Sequence, residues 1–137
     1  MKQLSNTAAS KLAKIGRTET AATADSLRDL LIKHDMVPFA PVVDTFLHFD
    51  GYTLPFPLEG RFKIYRLKDA IRSMTSNDKK SSDPQLFRMP FGESETIQSN
   101  FWINGLGNLY DDGTKMVDGI VEWIEDWSRN LSMSQWL

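Results

Sequence analysis

The 137-residue sequence contains no cysteine. That absence excludes a disulfide framework, a thiolate nucleophile and any cysteine-based zinc or iron–sulfur site, and it suits a reducing compartment, so the expected location is the cytoplasm. Histidine is nearly as scarce, with only His34 and His48 to titrate near neutral pH. No stretch approaches the roughly 20 consecutive apolar residues of a membrane span. The opening segment MKQLSNTAASKLAKIG spreads its lysines along its length and lacks the apolar run of a secretory signal. Basic charge is not in excess either: 16 Lys and Arg face 18 Asp and Glu, a net charge of −2. A generic nucleic-acid binder carries a basic footprint, so direct nucleic-acid binding is not expected.

Catalytic motifs are also missing. Neither histidine sits in HExxH or a comparable ligand spacing, and there is no P-loop, GxSxG elbow or EF-hand pattern. Gly105 and Gly107 in NGLGNL do not open a helix after a strand, so they read as bend or bulge residues and not as a phosphate cradle. His34 falls among Leu27, Leu30 and Leu31 near a helix end, which reads as a half-buried structural histidine close to the terminal carbonyls. His48, in FLHFDG between Leu47 and Phe49, reads equally well as a structural or a solvent-side residue. The pair Asp111 and Asp112 could hold a hard cation, yet Asp-Asp-Gly is also what a tight hairpin turn requires, and the turn outweighs the metal. The expectation is a protein with no catalytic residues, no metal and no cofactor, which acts by binding another protein.

What the sequence does contain is enough to build a core. Hydrophobic residues make up 41% and include four Trp and eight Phe, and a chain of this length buries about two-thirds of its unfolded surface. Residues 1–18 are small and polar and read as a flexible N-terminal arm or a loosely docked helix; residues 19–137 read as a single α+β domain. Thr20 to about Asp35 carries one apolar stripe and predicts an amphipathic helix, with Pro38 ending the helical region. PVVDTFLHFDG predicts a second helix, with Gly51 supplying the left-handed residue at its end. YTLPFPLEG, broken by Pro55 and Pro57, is a loop or an edge strand. RFKIYRL predicts a strand that runs into a short helix, LKDAIRSM, and TSNDKKSSDP a mobile polar loop. QLFRMPFG predicts a strand, and FWINGLGNLYDDGTKMV a meander bent near Gly105 to Gly107 and again at Asp112 and Gly113. In VDGIVEWIEDWSRNL, Val117, Ile120, Val121, Ile124, Trp127 and Leu131 share one helical face. Trp127, with Trp123 at the edge of that stripe, is assigned to the core, and Trp136 to a terminal segment that is disordered or caps the core. The order of elements gives a small antiparallel sheet flanked by helices.

Charge is segregated along the chain. Residues 1–18 hold Lys2, Lys11, Lys14 and Arg17 and no acid, whereas residues 93–126 hold eight acids against Lys115 alone. Acidic runs are most often solvated faces. Here Asp118, Glu122, Glu125 and Asp126 fall together on the polar side of the last predicted helix, and the Asp111–Asp112 turn immediately precedes it. These six residues form the candidate partner-binding surface, a negative patch that would attract a basic protein.

Taken in order, PVVDTFLHFDGYTLP, FKIYRLKDAI, LFRMPFGES, FWINGLGNLYDDG and IVEWIEDW resemble the SUKH superfamily over residues 38–128. That superfamily includes the Smi/Knr-type cell-wall regulators of yeast and many bacterial toxin-immunity proteins. The resemblance implies a SUKH-like fold and an immunity protein that binds a cognate toxin, often a nuclease, used in competition between bacteria. An acidic face mimicking nucleic acid would suit a basic nuclease cleft. A regulatory scaffold domain of the same fold, binding a housekeeping protein, is the alternative.

Overall fold

The computed structural model describes residues 2–18, 21–56 and 60–134. Its element order is α1 (Asn6–Ile15), α2 (Ala24–Lys33), α3 (Ala40–Phe49), β1 (Thr53–Phe56), β2 (Gly60–Ile64), α4 (Leu67–Arg72), β3 (Met89–Ser94), β4 (Phe101–Ile103), β5 (Leu109–Asp111), β6 (Thr114–Val117) and α5 (Ile120–Ser134). The α+β class and the antiparallel sheet flanked by helices are as the sequence predicts. The six strands form one sheet in the spatial order β1-β2-β3-β4-β5-β6, each antiparallel to the next. Short connections account for most of this meander, because a tight turn can only return the chain antiparallel; β2 and β3 are the exception, joined through α4 and the polar loop after it. Among the described residues no helix is long and apolar enough to cross a membrane.

One face of the sheet is apolar and supports the core. Leu54, Phe62, Ile64, Met89, Phe91, Phe101, Ile103 and Leu109 are all buried there, and they alternate with outward residues as a half-buried sheet requires. Phe62 meets Phe91, Phe101 and Trp123 with ring centroids 4.8 to 5.5 Å apart. The β3–β4 register shifts between Pro90 and Gly92, so Phe91 is the extra residue of a bulge and turns inward beside Met89. Gly92 is required at that place, since a Cβ would stand 2.3 Å from Phe62 Cε1 and 2.5 Å from the Lys63 carbonyl oxygen.

Local sequence explains where each helix stops and starts. The Thr23 hydroxyl accepts from the Ser26 N–H while Ser26 Oγ accepts from the Thr23 N–H, a reciprocal cap that opens α2. That helix ends at Lys33, before Pro38, because Asp35 adopts φ 62°. Thr20 lies outside the described residues. Pro41 occupies the first turn of α3, where its missing N–H costs nothing, and Gly51 at φ 78° follows the helix as expected. β1 is an edge strand that tolerates Pro55; Pro57 lies outside the described residues.

Two sequence expectations need correction, and residues 1–18, read as a flexible arm or a loosely docked helix, take the second form: the segment contains a helix packed on α5, with Ala8 and Leu12 buried and Ser5 accepting from the Ala8 N–H as its N-cap. Ala8 and Leu12 dock it with half-buried Leu4 and Ile15 beside them, a short stripe interrupted by polar residues. The last helix begins at Ile120, not at Val117, which is the final residue of β6. Asp118 and Gly119 form the bend between them, so Asp118 is not on the helical face. Trp136 and the side chain of Leu131 lie outside the described residues.

Candidate protein-binding surface

The six acidic residues are brought near one another only in part, and most are already engaged. Asp112 adopts φ 52° at the β5–β6 turn; its carboxylate accepts from the Asn100 N–H at 3.0 Å and its carbonyl oxygen from Trp102 Nε1 at 2.5 Å. It is a turn residue, while Asp111 closes β5 opposite Phe101. Asp118 is ion-paired with Lys115 and raises the pKa of that lysine through their hydrogen bond. Glu122 lies 3.8 Å from Lys2, and Asp126 is paired with Arg129. Glu125 accepts from the Ser5 N–H at 2.7 Å and the Ser5 hydroxyl at 2.9 Å, with Arg129 3.9 Å away. Four carboxylates therefore meet three cations, leaving a single net negative charge where the helical wheel, with Arg129 on the same face, suggests three. A wheel orders the charges of one helix but is blind to Lys2 and Ser5, which arrive from the other end of the chain.

Glu125 has a structural task, because it holds Ser5, the N-cap of α1, in place. Replacing Glu125 with alanine should cost about 1–2 kcal/mol, as expected for hydrogen bonds to a charged acceptor. Amide exchange over residues 6–15 should rise more than exchange in the sheet; unchanged protection of α1 would contradict this role.

The sheet face opposite the core carries a second, different surface. Register places Pro90 beside Trp102, Trp102 beside Tyr110 and Tyr110 beside Lys115, all on that outer face. Trp102 stacks flat on Tyr110 with centroids 3.9 Å apart and planes 5° from parallel. The guanidinium carbon of Arg88 lies 4.4 Å from the Trp102 ring centroid, so the indole is sandwiched between a cation and a phenol. Its N–H is fixed by Asp112, which explains why the ring stands in one orientation.

Next to this stack is a cleft of about 290 Å³ lined by Tyr65, Asp78, Arg88, Glu93, Asn100 and Trp102, among others. The Tyr65 hydroxyl donates to the Glu93 carboxylate at 3.1 Å. Burial raises the pKa of that phenol; a hydrogen bond from Ser73 opposes the shift, and the charge of Glu93 adds to it. The sequence contained part of this signal. Phe101-Trp102-Ile103 and Leu109-Tyr110 alternate about a five-residue connection, which sends Trp102 and Tyr110 outward together once the register is known. The connection itself depends on buried Asn104, whose Oδ1 accepts from the N–H groups of Leu106 and Asn108, both at 3.0 Å.

The histidines lie elsewhere. His34 caps the C-terminal end of α2 and His48 is exposed on α3; among the described residues neither imidazole hydrogen-bonds a carboxylate. No group of three or more His, Asp or Glu among the described residues is placed to hold a metal ion. The fold and this face define a small α+β protein that presents an organised aromatic and cationic surface on an open sheet. No protein-family model, curated protein or solved structure matches the chain.

Proposed function

We propose that this chain is an immunity protein of the SUKH type, which acts in the cytoplasm by binding a cognate bacterial toxin and blocking it. The order of its sequence motifs suggests the class. The observation that carries a binding role is the Arg88, Trp102 and Tyr110 row on the outer face of the sheet. Trp, Tyr and Arg are the residues that dominate binding energy at protein interfaces, and an anchor already held in one conformation loses little entropy on association. The acidic surface around α5 contributes less than its sequence suggests, since its charges are largely compensated. The net negative charge of the chain still favours steering of a basic toxin.

The test is to co-produce the chain with the toxin-like product of a neighbouring gene and measure their complex by calorimetry, together with protection from the toxin in growing cells. The double variant Trp102→Ala, Tyr110→Ala should weaken binding at least about 30-fold, the effect of losing roughly 2 kcal/mol at an anchor. Circular dichroism would establish that the variant is folded. Equal affinity in the folded double variant would remove this face from the interface. A complex formed only with a housekeeping protein would replace the toxin with the scaffold alternative.

A further inference from the structure

Arg88 is fixed on several sides, and yet its side-chain Nε is left without a hydrogen-bond partner. Its backbone bridges Lys79, with paired N–H to carbonyl bonds of 2.9 and 3.0 Å. Its guanidinium covers Trp102 and is ion-paired with the largely buried Asp78 carboxylate, whose nearer oxygen lies 3.5 Å from Nε without a hydrogen bond. The side chain is only 23% exposed. Among the described residues Nε is fully buried and has no hydrogen-bond partner. A partly desolvated cation with an unsatisfied N–H is costly unless something completes its contacts.

The other charged groups of the cleft are already served. Asp78 accepts from the Thr75 N–H at 2.8 Å through one oxygen and faces Arg88 with the other. Glu93 takes the Tyr65 hydroxyl and stands opposite Lys63 in the β2–β3 register. Asn100 adds a polar side chain to the lining. We propose that this cleft is a carboxylate-binding pocket that takes an acidic side chain of the partner protein in bidentate contact with Nη1 and Nη2 of Arg88, Nε being enclosed. The planar guanidinium matches a carboxylate edge to edge, and the Trp102 face beneath it prevents the fork from turning away.

This inference rests on the binding role proposed above, and its test needs no partner protein, so the two can fail separately. The full-length chain labelled with ¹⁵N is titrated at constant ionic strength with acetyl-glutamate amide, following the Arg88 Nε–H and Trp102 Nε1–H resonances. Saturable shifts are expected with half-saturation on the order of 1–10 mM, in the range of one charge-assisted contact. They should be absent with acetyl-glutamine amide and abolished in Arg88→Gln, whose fold is checked by circular dichroism. No saturation, equal shifts with the glutamine form, or persistence in the Arg88→Gln protein would overturn the pocket. Preferential binding of acetyl-lysine amide would make it a cation site instead, and succinate binding tenfold tighter than the glutamyl amide would overturn the side-chain source.

Discussion

Replacing Arg17 with alanine should cost about 3–5 kcal/mol of folding stability, the range for breaking a buried ion pair by removing one partner. Arg17 ties the chain after α1 to the end of α3. Its Nη2 is ion-paired with the Asp50 carboxylate and donates to the Leu47 carbonyl at 2.7 Å, while Nε donates to the Asp50 carbonyl at 2.6 Å. Tyr52 lies under the guanidinium at 5.5 Å. The Asp50 side chain is only 3% exposed, so without Arg17 a carboxylate and two helix-end carbonyls would be left in the interior with no cationic donor. Asp50 also leads directly into Gly51, whose N–H donates to the Ile64 carbonyl and starts the pairing of β1 with β2. The loss is expected in urea unfolding midpoints at constant slope. Arg17→Lys should recover only part of it, because an ammonium keeps the charge and gives up the fork. A cost below about 1 kcal/mol for Arg17→Ala would mean that water replaces the pair without penalty.

That ion pair also shows where reading the sequence stopped. Turns and strands were legible because their signals are local: Asp112-Gly113 between alternating segments fixes a hairpin, and Pro41 and Gly51 bracket α3. Arg17 and Asp50 are 33 positions apart, and nothing in either neighbourhood announces the other. The same holds for Ser5 and Glu125, separated by 120 positions. The helix α1 was obscured for a related reason, since Ala8 and Leu12 become a core contact only once α5 is beside them. The sequence places Val117 on the last helix because it falls in helical phase with Ile120, Val121 and Ile124, while the Gly119 bend that breaks that phase is a single weak residue.

The candidate surface moved from one part of the molecule to another on the same grounds. Charge counted along a sequence measures how acidic a segment is, and that count was right; it does not say which cations fold back onto the segment. The aromatic row has the opposite character. Pro90, Trp102, Tyr110 and Lys115 are dispersed over 26 positions and look unremarkable in sequence, yet cross-strand register assembles them into one line. Arg88 could not have been added to that line from periodicity alone, because its position depends on Asp78 across the intervening loop.

The other large loss is expected from Trp127→Ala, about 3–5 kcal/mol for emptying a buried tryptophan site. Trp127 is 1% exposed on the inner side of α5, and its Nε1 donates to the Pro55 carbonyl at 3.0 Å. That bond matters beyond its own strength, because Pro55 sits on the edge strand β1, and α5 is what covers it. Trp127→Phe keeps most of the apolar volume but removes the N–H, so it should cost less, with the unsatisfied carbonyl contributing about 1–3 kcal/mol. Since α1 docks on α5, amide exchange in Trp127→Ala should rise first in α1 and β1 and last in β4 and β5, where Trp102 and Tyr110 stack independently of the helix. Native-state exchange measured as a function of denaturant separates this from uniform destabilisation. If β4 and β5 lose protection together with α1, the outer aromatic face is not an autonomous unit of the sheet but shares one cooperative core with α5, and substitutions on either side would then be felt on the other.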